Sequence, residues 1–125
     1  MGTAEIESAT VTHPGVTESA AIGIPDATTG EALHVFVVLR NGVEPSEQLR
    51  KDLIQTIRKE VGALAVTKRL DFVPGLPKTR SGKIMRRLLK KISAGEYESL
   101  GDTSTLAEPA IVERIVEAVR AKNSR

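Results

Sequence analysis

"ALHVFVVLR", residues 32–40, is the stretch on which the fold turns. It is β-branched and almost wholly apolar, with no helical spacing of polar positions. A strand of that kind lies in the middle of a sheet and is covered on both faces. "NG" at 41–42 ends it. Beyond the turn, "SEQLRKDLIQTIRKEVG" (46–62) repeats Leu49, Leu53, Ile57 and Val61 at intervals of four, with Ile54 beside them. This predicts an amphipathic helix that starts near Pro45 and stops at Gly62. "KRLDFV" (68–73) then alternates as a strand should.

On the other side of the central stretch, "TESAAIGI" (17–24) is a short apolar run closed by Pro25 and reads as a buried strand. "PDATTGE" between the two runs is turn chemistry. "GTAEIESATV" (2–11) puts Ile6, Ala9 and Thr10 on one side of a helix. Pro14 biases His13 away from helical geometry, so that helix ends near "HPG". Towards the C-terminus, a basic helix is expected from about Lys83 to Ser93, with Ile84, Leu88 and Ile92 facing a core and Arg86, Arg87, Lys90 and Lys91 in water. "AGEYESLGDTST" reads as a loop, and "PAIVERIVEAVRAK" (109–122) as a last amphipathic helix on Ile111, Ile115 and Val119. The expected fold is α+β: a small mixed sheet of about three central strands, with room for a further hairpin, flanked by helices.

At 125 residues the chain amounts to one domain, residues 1–125, and can bury roughly two thirds of its unfolded surface. With two Phe, one Tyr and no Trp, its core must be aliphatic. No cysteine means no disulfide framework, thiolate metal site or cysteine nucleophile. No apolar run approaches the roughly 20 residues of a membrane span, and the N-terminus lacks the layout of a signal peptide. The first helix begins at once, so the chain reads like a piece cut from something larger.

Net charge is only +2, yet seven basic residues fall between Lys78 and Lys91, with no acidic one between Phe72 and Gly95. Local basicity implies a local anionic partner. A P-loop is excluded at two positions: Pro77 stands where its first Gly belongs, and Ile84 where a hydroxyl should hold magnesium. Nucleic-acid binding would need stacking aromatics, and only Phe72 and Tyr97 lie nearby. A solvated helix face explains the helical cations but not "PKTRSGK" (77–83). Gly82 allows close approach to a ligand, and a lysine after it is a mobile point charge suited to a phosphate site supplied by another domain.

"LPKTRSGKIMRRLLKKI" (76–92) resembles the C-terminal signature of the AMP-forming acyl-CoA synthetases of the adenylate-forming superfamily. "LGDTSTLAEP" (100–109) is similar to the acetate-activating branch in particular, and "GTAEIES", "HPGVTESAAIGIP" and "RKEVG" match in order and spacing. The resemblance covers essentially the whole chain. It implies the mobile C-terminal lid of a two-step acetate–CoA ligase. In the first step acetate attacks the α-phosphate of ATP to give acetyl-adenylate and pyrophosphate; coenzyme A then displaces AMP. The partner would be an N-terminal domain, absent here, that holds most of the ATP, Mg2+ and acetate site, in a cytoplasmic enzyme. The lid would take one pose per half-reaction.

By the same resemblance, Lys83 aligns with the adenylation lysine, which is also the target of a protein lysine acetyltransferase and a sirtuin-type deacetylase. Acetylation would remove its charge. Arg58, in "IRKEVG", aligns with a coenzyme A contact; its place beside Ile57 equally suits an exposed structural arginine. The family often carries Pro where Ala63 stands. Val11, His13 and Val16 in "VTHPGV" align with a cation site. Valine offers only its carbonyl, and helix C-terminal carbonyls are unpaired and electronegative; an empty helix end with an exposed histidine is the alternative. The chain alone is expected to be inactive, and to serve at most as a protein substrate for the acetyltransferase.

Overall fold

The computed structural model describes residues 3–26, 30–62, 66–97, 100–101, 103 and 106–123. Elements follow in the order α1 (Thr3–Val11), β1 (Val16–Asp26), β2 (Gly30–Leu39), α2 (Glu47–Val61), β3 (Thr67–Phe72), α3 (Arg86–Ser93) and α4 (Ile111–Asn123). The strands form one mixed sheet, β1-β2-β3. β1 and β2 are antiparallel, with Ala20 opposite Phe36 and Ala21 opposite Val35; β3 runs parallel to β2, which requires the α2 crossover.

β2 is the central strand, and Val35, Phe36 and Val37 have no exposed surface. Because side chains alternate across a strand, the sheet carries two cores. Ala20, Ile22 and Phe36 meet Leu88, Leu89 and Ile92 of α3 and Ile115 and Val119 of α4. On the opposite face, Ala21, Val35, Val37 and Leu70 meet Ile6 of α1 and Leu53 and Ile57 of α2. The result is three layers: helix pair, sheet, helix pair. α2 begins as its sequence suggests, with the Ser46 side chain accepting the Leu49 N–H at 3.0 Å.

Two boundaries and one exposure differ from the sequence-based expectation. β1 runs through Pro25 to Asp26, because Pro25 sits on the outer strand, where no ladder hydrogen bond is lost. α3 begins at Arg86 rather than at Lys83, since Lys83 and Ile84 are engaged in a separate hairpin. Arg86 is also less wet than its helical position implies, for reasons given below. Part of "PDATTGE", Ala63 and part of "AGEYESLGDTST" lie outside the described residues.

Among the buried polar side chains of the described residues, His34 lies on the central strand and is fully buried. Its Nε2 lies 2.6 Å from Asp71 of β3 and its Nδ1 2.6 Å from the Ser93 hydroxyl of α3. An ionised carboxylate only accepts, so Nε2–H donates to Asp71 and the bare Nδ1 accepts from Ser93. The ring also stacks on Phe36 at 4.2 Å. His34 therefore ties the sheet to α3.

Burial holds the His34 pKa below its ordinary value; the hydrogen bond and charge of Asp71 oppose this, and Arg69 adds to the lowering. The unfolded chain thus binds this proton more readily than the folded one. Stability from neutral His34 is present above a pH of about 6.5 and is lost as pH falls towards the depressed folded value. A urea midpoint measured from pH 7.5 to 5.5 is expected to drop, and His34→Gln to flatten the drop.

Candidate functional site

The "PKTRSGK" segment is an ordered hairpin, not an irregular loop. Lys78 pairs with Ile84, the Thr79 N–H donates to the Lys83 carbonyl, and the Gly82 N–H donates to the Thr79 carbonyl, both at 2.9 Å. Gly82 has φ near 90°. This is the three-residue turn, Arg80-Ser81-Gly82, whose last position needs a left-handed backbone. Glycine is there for that reason. The Thr79 hydroxyl braces the turn, accepting the Lys83 N–H at 3.2 Å and lying 3.0 Å from the Ser81 hydroxyl. No atom lies within 4 Å of a Cβ added at Gly82, so Gly82→Ala is expected to cost only backbone strain, about 1–2 kcal/mol. Thermal unfolding would measure it.

The hairpin is fixed to the body at both arms. Lys78 forms an ion pair with Glu18 of β1, and its carbonyl accepts the Ala107 N–H at 2.9 Å. Thr79 bridges to Leu106, which is buried in the core under α3 and α4. The Met85 N–H donates to the Pro77 carbonyl at 2.7 Å and closes the base. Lys83 is thereby exposed on a rigid support, with its ammonium in no ion pair among the described residues.

The basic run divides by function. Lys78 is paired with Glu18. Arg86 grips Glu7 of α1 with two forked contacts of 2.5 and 2.7 Å, and Nε adds a third at 3.2 Å. Glu7 in turn accepts the Ala21 N–H of β1 at 2.8 Å. This clamp joins α1, β1 and the start of α3. The pairing spans 79 positions, so no local sequence signal marks it. His34 had a signal, a lone polar residue in an apolar strand, but Asp71 and Ser93 become its partners only through the fold.

Arg58 sits in the last turn of α2, exposed beside the fully buried Ile57. A cation there also complements the helix dipole. α2 covers one face of the sheet, whereas the residues flanking the Lys83 hairpin pack into the core on the other. The structure therefore does not bring Arg58 and Lys83 together.

Val11, His13 and Val16 surround the end of α1. The residues that would pair the Val11 carbonyl are Pro14, which has no N–H, and Gly15, whose N–H goes to His13 Nδ1 at 3.0 Å. The Val11 carbonyl has no backbone partner among the described residues, and the His13 carbonyl already accepts the Val16 N–H at 3.1 Å. With Nδ1 engaged, His13 has its carbonyl rather than that ring nitrogen to offer a hard cation. Among the described residues no cluster of three His, Cys, Asp or Glu side chains could hold a metal. Among the same residues no helix is long and apolar enough to cross a membrane.

The family model described as the AMP-binding enzyme C-terminal domain matches residues 5–83. This chain belongs to that family. The match runs from α1 to the lysine of the hairpin. The chain of this C-terminal domain is 54% identical over 125 residues to an acetyl-coenzyme A synthetase of Stutzerimonas stutzeri, covering all of this chain and 19% of that protein. It is 53% identical over 121 residues to acetyl-coenzyme A synthetase 1 of Pseudomonas aeruginosa, covering 97% and 19%. A crystal structure of an acyl-CoA synthetase from Brucella canis superposes with a TM-score of 0.72 at 40% identity, covering 77% of this chain and 18% of that one. An amide bond synthetase from Marinactinospora thermotolerans does so at 0.65 and 30%, covering 71% and 17%. The C-terminal domain thus spans about a fifth of the length of the curated relatives it matches, and its α+β architecture is that of acyl-CoA synthetases.

Proposed function

We propose that this domain is the mobile lid of an AMP-forming acetate–CoA ligase, residues 1–125 acting as one unit on an N-terminal domain that binds ATP, Mg2+ and acetate. The observation that carries the reading is Lys83: an exposed ammonium, in no ion pair among the described residues, held at a fixed place by a braced hairpin. Adenylation gathers the charge of a carboxylate and a triphosphate around one phosphorus. A preorganised cation aimed there stabilises the charge that develops in the transition state. Such a lysine needs a rigid base and no internal partner, and Lys83 has both.

Arg58 is the second element of the proposal. An exposed arginine fork suits the nucleotide phosphates of coenzyme A. It belongs to the opposite helix layer from the core that carries the Lys83 hairpin. That placement supports a lid with two poses, one per half-reaction. The cation proposed at Val11, His13 and Val16 would be a hard ion such as Mg2+ held by carbonyl oxygens, stabilising the turn between α1 and β1. No step of the reaction needs it.

Lys83 is also the natural point of control. On a folded, exposed hairpin it is open to a protein lysine acetyltransferase and to a sirtuin-type deacetylase, and acetylation would delete the charge that adenylation uses. The reading takes the enzyme as a cytoplasmic one that uses ATP and coenzyme A. The test is Arg58→Ala in the longer enzyme. It is expected to raise the KM for coenzyme A about tenfold or more, in keeping with loss of a charge-assisted phosphate contact. Acetate-driven ATP–pyrophosphate exchange should stay within twofold of the parent. An unchanged KM would make Arg58 a structural residue only.

A further inference from the structure

The outer edge of β1 and the cationic face of α3 form a row of matched rungs. In the first rung the Ala21 N–H and the Arg86 guanidinium together hold the Glu7 carboxylate. The second rung lies one step along. Gly23 is opposite Leu33, whose N–H goes to Val66 at 2.9 Å rather than to β1. In an antiparallel pair this leaves the Gly23 N–H pointing out of the sheet edge, as the Ala21 N–H does.

Two residues advance a strand by about 6.6 Å, and four advance a helix by about 6 Å. Lys90, four residues after Arg86, therefore stands to Gly23 much as Arg86 stands to Ala21. The cavities agree with that register. One of about 680 Å³ includes Ala21, Gly23, Arg86 and Lys90. An adjoining one of about 690 Å³ includes Gly23, Pro25, Lys90 and Ala94. α3 thus runs along β1 in the same sense, and Gly23 and Lys90 are common to both spaces.

No acidic side chain among the described residues lines either cavity. Lys90 is exposed and makes no ion pair among the described residues, whereas Arg69 beside it is engaged with Asp71 at 3.3 Å. Below the cation the lining is largely apolar, supplied by Ile24, Pro25 and Ala94. The geometry points to a second carboxylate site: the Gly23 N–H and the Lys90 ammonium hold the carboxylate of a small molecule whose short apolar tail lies on Ile24 and Pro25. The filled rung at Glu7 is its internal template. The site is independent of the adenylation reading, since it uses neither Lys83 nor Arg58.

Amide NMR of the 125-residue chain, titrated with sodium hexanoate at constant ionic strength, tests the assignment. The Gly23 amide is expected to shift saturably, hexanamide to leave it in place, and inorganic phosphate to bind more weakly than hexanoate. Lys90→Ala, a surface change that leaves the other amides in place, should weaken hexanoate at least fivefold, and Lys90→Arg should restore it. The site is overturned if Gly23 does not saturate, if hexanamide or phosphate matches hexanoate, or if Lys90→Ala binds as the parent does.

Discussion

Lys83→Ala in the longer enzyme lowers acetate-driven ATP–pyrophosphate exchange by roughly a hundred- to a thousandfold, the loss expected when one preorganised charge-stabilising group is removed. The expectation rests on where the side chain sits. Lys83 is exposed and its ammonium is in no ion pair among the described residues, while the backbone beneath it is fixed by Thr79 and Gly82. Removing the ammonium should therefore change folding stability by no more than about 0.5 kcal/mol, and the loss of exchange would report chemistry rather than unfolding. Lys83→Gln, which copies the shape and neutrality of acetyl-lysine, is expected to match Lys83→Ala. Lys83→Arg should recover only part of the rate, because a planar guanidinium does not place its charge where a compact ammonium does.

Phe36→Ala is expected to destabilise the domain by about 3–5 kcal/mol, a large share of the 5–15 kcal/mol that holds most domains together. Phe36 has no exposed surface, lies on the middle strand and joins the core under α3 and α4. Its ring also carries the stacked His34, so the cavity would loosen the His34 bridge to Ser93 as well. Ile54→Ala, on a half-buried position of α2, should cost clearly less. Urea midpoints for the two variants check the order, and equal losses would mean that the centre of the sheet repacks.

Periodicity carried most of the fold. The run at 32–40 has no polar face, and the structure covers β2 on both sides for that reason. Leu53 and Ile57 of α2, and Ile115 and Val119 of α4, are buried as their spacing of four requires. What periodicity could not reveal was pairing between distant residues. Glu7 with Arg86, and His34 with Asp71 and Ser93, are chosen by the fold; His34 stands out in its apolar strand, but its partners and the Glu7–Arg86 pair look like ordinary polar residues. The place of the hairpin was not legible for another reason: "TRSGK" holds turn residues but no flanking alternation, and the isolated bridge that ties Thr79 to Leu106 comes from beyond α3. The basic run also looked uniform in sequence, yet Lys78 and Arg86 are paired structural residues while Lys83 and Lys90 face outward.

The most direct test of the account is the second half-reaction alone. Lys83→Ala enzyme given acetyl-adenylate and coenzyme A should form acetyl-CoA within about threefold of the parent rate, a barrier change under about 0.7 kcal/mol. On the proposed reading, the hairpin swings away in that step and the Arg58 layer faces the site. Loss of thioester formation to the same extent as exchange would contradict it, because Lys83 would then act in both steps and the lid would need only one pose.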